Sequence, residues 1–183
     1  MAFRRLLLIA LLLLALPAWA LTPSGPITVS TSNAVIQGLQ ITNGSGDCVT
    51  ITGNATNITI KESEIGPCTG RGINIVNGSN HKIYDNYIHT QFRPTVGFDT
   101  GTNILVGTGV SGTVIQGNVI CFGESNITSY SNSGVTIHGN YLCNPVTNTG
   151  GGGANGGRGQ QIHGPQGSSG ITATNNFLYS CER

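Results

Sequence analysis

The sequence predicts an all-β solenoid, a fold in which short parallel strands stack on copies of themselves. Three observations predict it: a motif that recurs six times, short runs of alternating apolar residues in each copy, and a scarcity of helix-favouring residues after position 20. A unit of about 22 residues with alternating strands cannot bury its apolar face alone. Stacked units solve this, because each strand pairs with the copies above and below it.

The repeated motif is clearest in TVIQGNVIC, which ends at Cys121, and VTIHGNYLC, which ends at Cys143. Its first apolar residue, here called the marker, recurs at short and mostly similar intervals. The six markers are Ile36, Ile60, Ile83, Ile115, Ile137 and Ala173. The last four copies carry an asparagine three positions later: Asn86, Asn118, Asn140 and Asn176. Stacked amides hydrogen-bond from coil to coil, so we interpret this column as structural.

A second strand precedes the marker in most copies. Apolar pairs lie about nine residues upstream at Val49/Ile51, Ile73/Ile75 and Ile104/Val106, and less regularly at Ile127 and Ile162. Each copy therefore holds at least two strands joined by turns rich in Gly, Asn and Ser. We expect the markers Ile60, Ile83, Ile115 and Ile137 to stack inside the solenoid.

The V-x-I-x-x-N-x-I pattern at these short intervals resembles the right-handed parallel β-helix superfamily of pectate lyases, polygalacturonases, alginate-acting enzymes and phage tailspikes. The resemblance extends over residues 33–178. It implies an all-β, single-stranded, right-handed parallel β-helix of about six coils. It is more specific for fold than for function, because one solenoid hosts many chemistries.

The segment 1–20 is typical of a secretory signal peptide. Two arginines precede an eleven-residue apolar run, and Ala18-Trp19-Ala20 fits a cleavage site. The run is shorter than the ~20 residues that cross a bilayer. We therefore expect a secreted or periplasmic protein whose β-helix domain is residues 21–183, with no membrane attachment after cleavage.

The charge and the cysteines limit the partners and the redox environment. The formal net charge of +1 becomes −1 when Arg4 and Arg5 leave with the signal, and no basic stripe predicts a nucleic-acid partner. Export permits disulfides between some of the five cysteines. Cys121 and Cys143 share a repeat position on adjacent coils, and a coil rise of ~4.8 Å lies within the Cα range of a disulfide. They form either a disulfide or a pair of buried free thiols.

One line of charged residues is a candidate site. Counting four residues back from the upstream strand places Asp47, Arg71, Thr102, Glu124 and Arg158 on successive coils. The segments GDCVTI (46–51) and CTGRGINI (68–75) resemble the Gly-Asp-Asp-Cys and Gly-His-Gly pair of polygalacturonases, with one aspartate at the two-aspartate position and Arg71 in place of the histidine. The line is either a ladder of surface ion pairs, Asp47 with Arg71 in particular, or a binding line.

Two insertions, 89–102 and 143–159, leave from the same corner and favour a binding face there. Between them, the segment GESNITSY (123–130) would form the floor of a groove roughly 10 Å wide, ending at Tyr130. The residues expected in the walls are Phe92, Arg93, Phe98, Asp99 and Arg158. Aromatic and cationic walls suit an acidic sugar.

The distances favour elimination or epimerisation over hydrolysis. Asp47 and Glu124 would be three coils apart, roughly 14 Å at one strand spacing per coil, whereas hydrolysis needs two carboxyls about 5 to 9.5 Å apart. We predict catalytic roles for Arg71, Arg93 and Arg158. The predicted substrate-binding residues are Asp47, Asp99, Glu124 and Tyr130. The resemblance to lyases implies an arginine or lysine base, sometimes with Ca²⁺ on the substrate carboxylate.

We predict no metal site built from histidines, because the four histidines lack metal-ligand spacing and are expected in turns or on the surface. Two functions remain open: a secreted enzyme that cleaves or epimerises an acidic polysaccharide, and a non-catalytic solenoid that binds glycan or serves as a surface module. Only the short segment YSCER, which includes Cys181, follows Leu178. We therefore expect an incomplete C-terminal cap, with either a continuing chain or end-to-end self-association.

Overall fold

The computed structural model describes residues 20–90, 101–131, 133–145 and 160–179. Nineteen short strands, numbered β1 to β19 in chain order, form the regular structure of these residues, and no helix occurs among them. No membrane-spanning helix is therefore found in the described segments. Residues 1–19 of the predicted signal peptide lie outside the described residues, as do Arg93, Asp99, Arg158 and Cys181.

The strands form three sheets, here called A, B and C. Sheet A contains, in spatial order, β1 (Thr22–Ser24), β4 (Leu39–Asn43), β7 (Glu64–Cys68), β10 (Tyr87–His89), β13 (Val119–Cys121), β16 (Tyr141–Cys143) and β19 (Phe177–Tyr179). Sheet B contains β2 (Ile27–Val29), β5 (Val49–Ile51), β8 (Ile73–Ile75), β11 (Ile104–Val106), β14 (Ser125–Ser129) and β17 (Gln160–His163). Sheet C contains β3 (Val35–Gln37), β6 (Thr59–Lys61), β9 (Lys82–Tyr84), β12 (Val114–Gln116), β15 (Val135–His138) and β18 (Ile171–Thr174).

Each sheet takes every third strand, and neighbouring strands pair in parallel. The chain therefore visits sheets A, B and C in turn before it returns to A one strand further along. This arrangement is all-β and consistent with a parallel β-solenoid, as the sequence predicts.

The markers stack in register along sheet C. Ile60 pairs with Ile83, Ile83 with Ile115, and Ile115 with Ile137. All four side chains are fully buried. The prediction that these isoleucines stack inside is confirmed, and their burial gives the sheet its apolar inner face.

The turns around each marker explain why the motif contains glycine and asparagine. In every copy the residue three positions before the marker and the residue two positions after it have positive φ. The first column is Asn33, Asn57, Asn80, Gly112, Gly134 and Gly170, and the second is Gly38, Glu62, Asp85, Gly117, Gly139 and Asn175. Glycine and asparagine adopt this conformation most readily. The motif therefore spans two strands, with the second turn between them, and each repeat contains three strands.

The asparagine ladder (Asn86, Asn118, Asn140 and Asn176) lies just after the second turn. The side-chain Nδ2 of Asn118 donates to Oδ1 of Asn140 at 3.0 Å, and Asn86 donates to Asn118 in the same way. Asn118 Nδ2 also donates to the carbonyl oxygen of Ile83, one coil earlier, at 2.9 Å. These buried amides join successive coils, which confirms the structural interpretation of the column.

Two disulfides link neighbouring coils. Cys48 is bonded to Cys68, with Cα atoms 5.7 Å apart. Cys121 is bonded to Cys143 between the paired strands β13 and β16, with Cα atoms 4.6 Å apart. Of the two alternatives for Cys121 and Cys143, the structure contains the disulfide.

Candidate functional site

Asp47 and Arg71 lie together on adjacent coils, at the start of sheet B. Asp47 Oδ2 lies 3.6 Å from Arg71 Nη1, and both side chains are mostly buried, with exposed fractions of 20% and 27%. Asp47 Oδ1 accepts a hydrogen bond from the Arg71 backbone N–H at 2.7 Å, and Oδ2 accepts one from Asn74 Nδ2 at 2.8 Å. The Asp47 carboxylate therefore has three partners within the fold.

The two glycines beside Arg71 are explained by close packing. A Cβ on Gly70 would lie 2.5 Å from Asp47 Oδ1, and a Cβ on Gly72 would lie 2.6 Å from the carbonyl oxygen of Asn103. Side chains at these positions would force neighbouring coils apart. The Gly-Arg-Gly segment thus has a packing role, and Arg71 carries a guanidinium whose charge is balanced by Asp47.

The predicted line of equivalent positions includes Asp47, Arg71 and Thr102 but not Glu124. The Glu124 N–H donates to the carbonyl oxygen of Gly101 at 2.8 Å, and the N–H of Asn103 donates to Ser125 at 3.0 Å. Sheet B pairs Ile104 with Ile127, so Ser125 and not Glu124 corresponds to Thr102. The alignment of Glu124 with Thr102 was wrong by one residue, because β14 has the polar Ser129 where β11 has Val106, the apolar residue from which the count starts.

The predicted groove floor is not open to solvent. Glu124 and Tyr130 flank β14 and are half-buried, while all five residues of β14 are buried. Thr128 is 1% exposed, although it pairs with Leu105, which is half-buried. The strand within the predicted floor, 123–130, is therefore buried, and the groove itself stays a prediction. Arg93, Asp99 and Arg158, expected in its walls, lie outside the described residues.

Sheet A carries an exposed apolar ladder that the sequence analysis missed. Tyr87 pairs with Val119, Val119 with Tyr141, and Tyr141 with Phe177, so the four residues stand at equivalent positions on successive coils. Their exposed fractions are 39%, 40%, 39% and 59%. The Tyr141 and Phe177 rings stack with centroids 5.2 Å apart. The motif contained the signal: the residue four positions after the marker is Tyr, Val, Tyr or Phe in four consecutive copies.

Polar groups continue the sheet A ladder towards the N-terminal coils. Glu64 pairs with Tyr87 in the sheet, and Gln40 Nε2 donates to Glu64 Oε2 at 3.2 Å. The His89 ring stacks on Tyr87 with centroids 4.6 Å apart, and its Nε2 lies 3.2 Å from Glu64 Oε1. One face of sheet A therefore presents aromatic, hydroxyl, amide and carboxylate groups along a straight line.

A second surface feature lies on sheet C. Lys82, Tyr84, Asp85, Val114 and Gln116 line a cleft between β9 and β12. Lys61 Nζ lies 5.8 Å from the centre of the Tyr84 ring. The cleft carries both signs of charge, with Lys82 and Asp85 exposed.

His81 follows the turn at Asn80, but it is wholly buried, so its expected place on the surface was wrong. It occupies an inner position that apolar residues such as Ile58 and Val135 fill in other coils. Neither ring nitrogen has a hydrogen-bond partner among the described residues, nor does Oγ1 of the buried Thr113 on the next coil. Desolvation by burial lowers the pKa of His81, and the nearby Asn77 backbone opposes this effect.

No cluster of three or more His, Cys, Asp or Glu side chains suited to a metal ion occurs in the described segments. The chain matches no family model, no curated protein and no solved structure.

Proposed function

We propose that the chain is an exported, right-handed parallel β-helix of about six coils that binds polysaccharide without catalysing a reaction on it. The observation that carries the proposal is the sheet A ladder, an exposed apolar line fixed by backbone pairing. Contiguous exposed apolar surface on a folded protein commonly marks a binding site. A rigid ladder also loses little conformational freedom when a ligand binds.

A polysaccharide suits this ladder better than a small ligand does. The ladder is linear and repeats once per coil, and a linear polymer presents a repeating surface to match it. Sugar rings combine apolar C–H faces with hydroxyls, and the ladder combines ring edges and Val119 with the tyrosine hydroxyls and the Glu64 carboxylate. The described strands of sheet A contain no lysine or arginine, which favours a neutral glycan on this face.

The cluster at Asp47 does not favour catalysis. A catalytic group must reach the substrate, whereas the Asp47 carboxylate is already bonded to Arg71 and Asn74. Action on an acidic polysaccharide with Arg71, Arg93 and Arg158 as catalytic residues, with or without Ca²⁺, stays a prediction from the sequence. Among the described residues, no observation favours such catalysis over polysaccharide binding.

The test is retention of the mature chain on insoluble cellulose and chitin, and its mobility in gels containing pectate, alginate or hyaluronate. We expect the parent to bind at least one glycan, and Tyr87→Ser/Tyr141→Ser to weaken that binding by about tenfold or more, equal to about 1.4 kcal/mol. Tyr84→Ser on sheet C is the matched control and should bind as the parent does.

Two results would contradict the proposal. Either the parent binds none of these glycans, or the ladder variant binds as tightly as the parent. Incubation with the three acidic polysaccharides, with and without Ca²⁺, checks the other reading: a rise in ultraviolet absorbance from unsaturated product would show a lyase.

A further inference from the structure

The two ends of the strand stack differ in whether they accept another strand. At the N-terminal end, the Thr22 N–H donates to Gly38 and the Ile27 N–H donates to Cys48, both one coil further along. Backbone N–H groups alternate in direction along a strand. The nitrogen of Pro23, one residue after Thr22 in β1, therefore faces the outer edge, where proline offers no donor. Pro26 directly precedes β2 and likewise has no N–H to donate.

The C-terminal end has no such protection in the described part of the chain. The strands β17, β18 and β19 are the last of their sheets. Their sequences, QQIH, ITAT and FLY, contain no proline, aspartate, glutamate, lysine or arginine, the residues that usually guard a sheet edge. Leu178 is 56% exposed, whereas the equivalent Leu142 and Ile120 are fully buried. This end displays core surface and strand edges together.

We propose that two copies of this chain dock through these C-terminal ends, related by a two-fold axis. A head-to-tail arrangement would place β19 against β1, where Pro23 interrupts pairing. A two-fold arrangement uses the C-terminal end twice and avoids the proline edge. The neutral composition of β17–β19 lets the same surface meet itself without charge repulsion.

The geometry of the coil determines which strands of the two copies would pair. A two-fold axis normal to sheet A, lying just beyond the middle of β19 and halfway to the second copy, sets β19 antiparallel to β19 of the second copy. The same rotation exchanges sheets B and C, so β17 meets β18 of the second copy. The Phe177 N–H donates inward to Asn140, which directs the N–H and carbonyl of Leu178 outward. The two Leu178 residues would then exchange both backbone hydrogen bonds across the axis.

The dimer would also join the two sheet A ladders end to end, with Phe177 of each copy beside the axis. The docking proposal does not depend on glycan binding, because it rests on the strand edges and the exposed Leu178 at the C-terminal end. If both proposals hold, one polymer chain spans both ladders and gains affinity through avidity.

Multi-angle light scattering of the mature chain, residues 21–183, tests the proposal at about 100 μM and across a dilution series. We expect twice the monomer mass, with or without reductant. Leu178→Lys should give a monomer, because docking would bury an unpaired charge. Val35→Lys, at a position 61% exposed on the first coil, is the matched control and should remain dimeric.

Three results would overturn the proposal. The parent is a monomer at the highest concentration, the Leu178→Lys variant remains a dimer while its β circular dichroism is unchanged, or the dimer disappears in reductant. The last result would assign the association to an interchain Cys181 disulfide instead of strand pairing. Glycan binding is measured separately on the Leu178→Lys monomer, so failure of docking is distinguishable from failure of the proposed function.

Discussion

His81 places an ionisable ring between Ile58 of the preceding coil and Thr113 of the next, at an inner position of the solenoid. Its two nitrogens and the Thr113 hydroxyl are buried without hydrogen-bond partners among the described residues. Burial of an unsatisfied polar group costs free energy, and burial of its charged form costs more. This single residue should therefore weaken the fold and make it sensitive to acid.

We predict that unfolding becomes easier below pH 6.5 because of His81. The unfolded histidine takes up a proton near its ordinary pKa of 6.5, while burial lowers the pKa of the folded form. The contribution of neutral, buried His81 is thus complete above pH 6.5 and is lost as the pH falls towards the folded pKa. His81→Ile should raise the free energy of unfolding at pH 8 by about 1 to 3 kcal/mol and flatten its fall towards acid.

Urea denaturation between pH 5 and pH 8 measures this effect. His138→Gln is the matched control, since His138 is half-exposed on sheet C and hydrogen-bonded to Thr174. An unchanged pH profile in His81→Ile would show that another group causes the acid sensitivity. The sequence did not reveal the burial of His81, because a lone histidine near a turn resembles any surface histidine.

The turn after each marker is the element on which coil stacking depends. Gly117 turns the chain at positive φ, and Asn118 then bonds to the coils on both sides. Ser63 continues the asparagine ladder, since its backbone N–H donates to Asn86 Oδ1 and its hydroxyl accepts from Leu39 N–H. The element therefore needs a small hydrogen-bonding side chain more than it needs asparagine.

We predict that Asn118→Ala lowers the free energy of unfolding by about 3 kcal/mol, because the change leaves buried backbone and amide groups on two coils without partners. Each such group costs about 1 to 3 kcal/mol. Asn176→Ala, at the half-buried end of the ladder, should cost less. Equal urea midpoints for the two variants would contradict the importance of burial for this ladder.

The repeated motif was sufficient to predict the stacked strands and much of their alignment. Matching its copies aligned Ile60, Ile83, Ile115 and Ile137 correctly, since register in a stacked sheet follows the repeat. The count failed at Glu124, because β14 has the polar Ser129 at the position of the apolar residue from which the count starts. The third strand was hidden because a turn of one or two residues between two short apolar segments resembles an irregularity within a single strand.

At the scale of the molecule, the two prolines at the N-terminal edge would limit the proposed assembly to a dimer. We predict that Pro23→Val/Pro26→Thr opens that edge and lets dimers pair through their N-terminal ends, giving particles larger than a dimer. Both replacements favour strands and restore an N–H donor. Light scattering over several days measures growth, with Pro165→Ala in a turn as the control. An unchanged particle mass would show that these prolines do not guard the edge.

Strand register in this fold does not depend on the length of the segments between the markers, so the chain should tolerate insertions in those segments. The segments between Ile83 and Ile115 and between Ile137 and Ala173 are longer than those between the other markers. Both pairs of markers nevertheless keep the register that the other markers share. Closing a longer loop costs little, about 0.6 kcal/mol for each doubling of its length. Segments at one corner of the coil can therefore be lengthened or replaced by other sequences while the stacked strands keep their arrangement. For protein engineering, the corner between His89 and Ile104 is a natural acceptor for a grafted peptide.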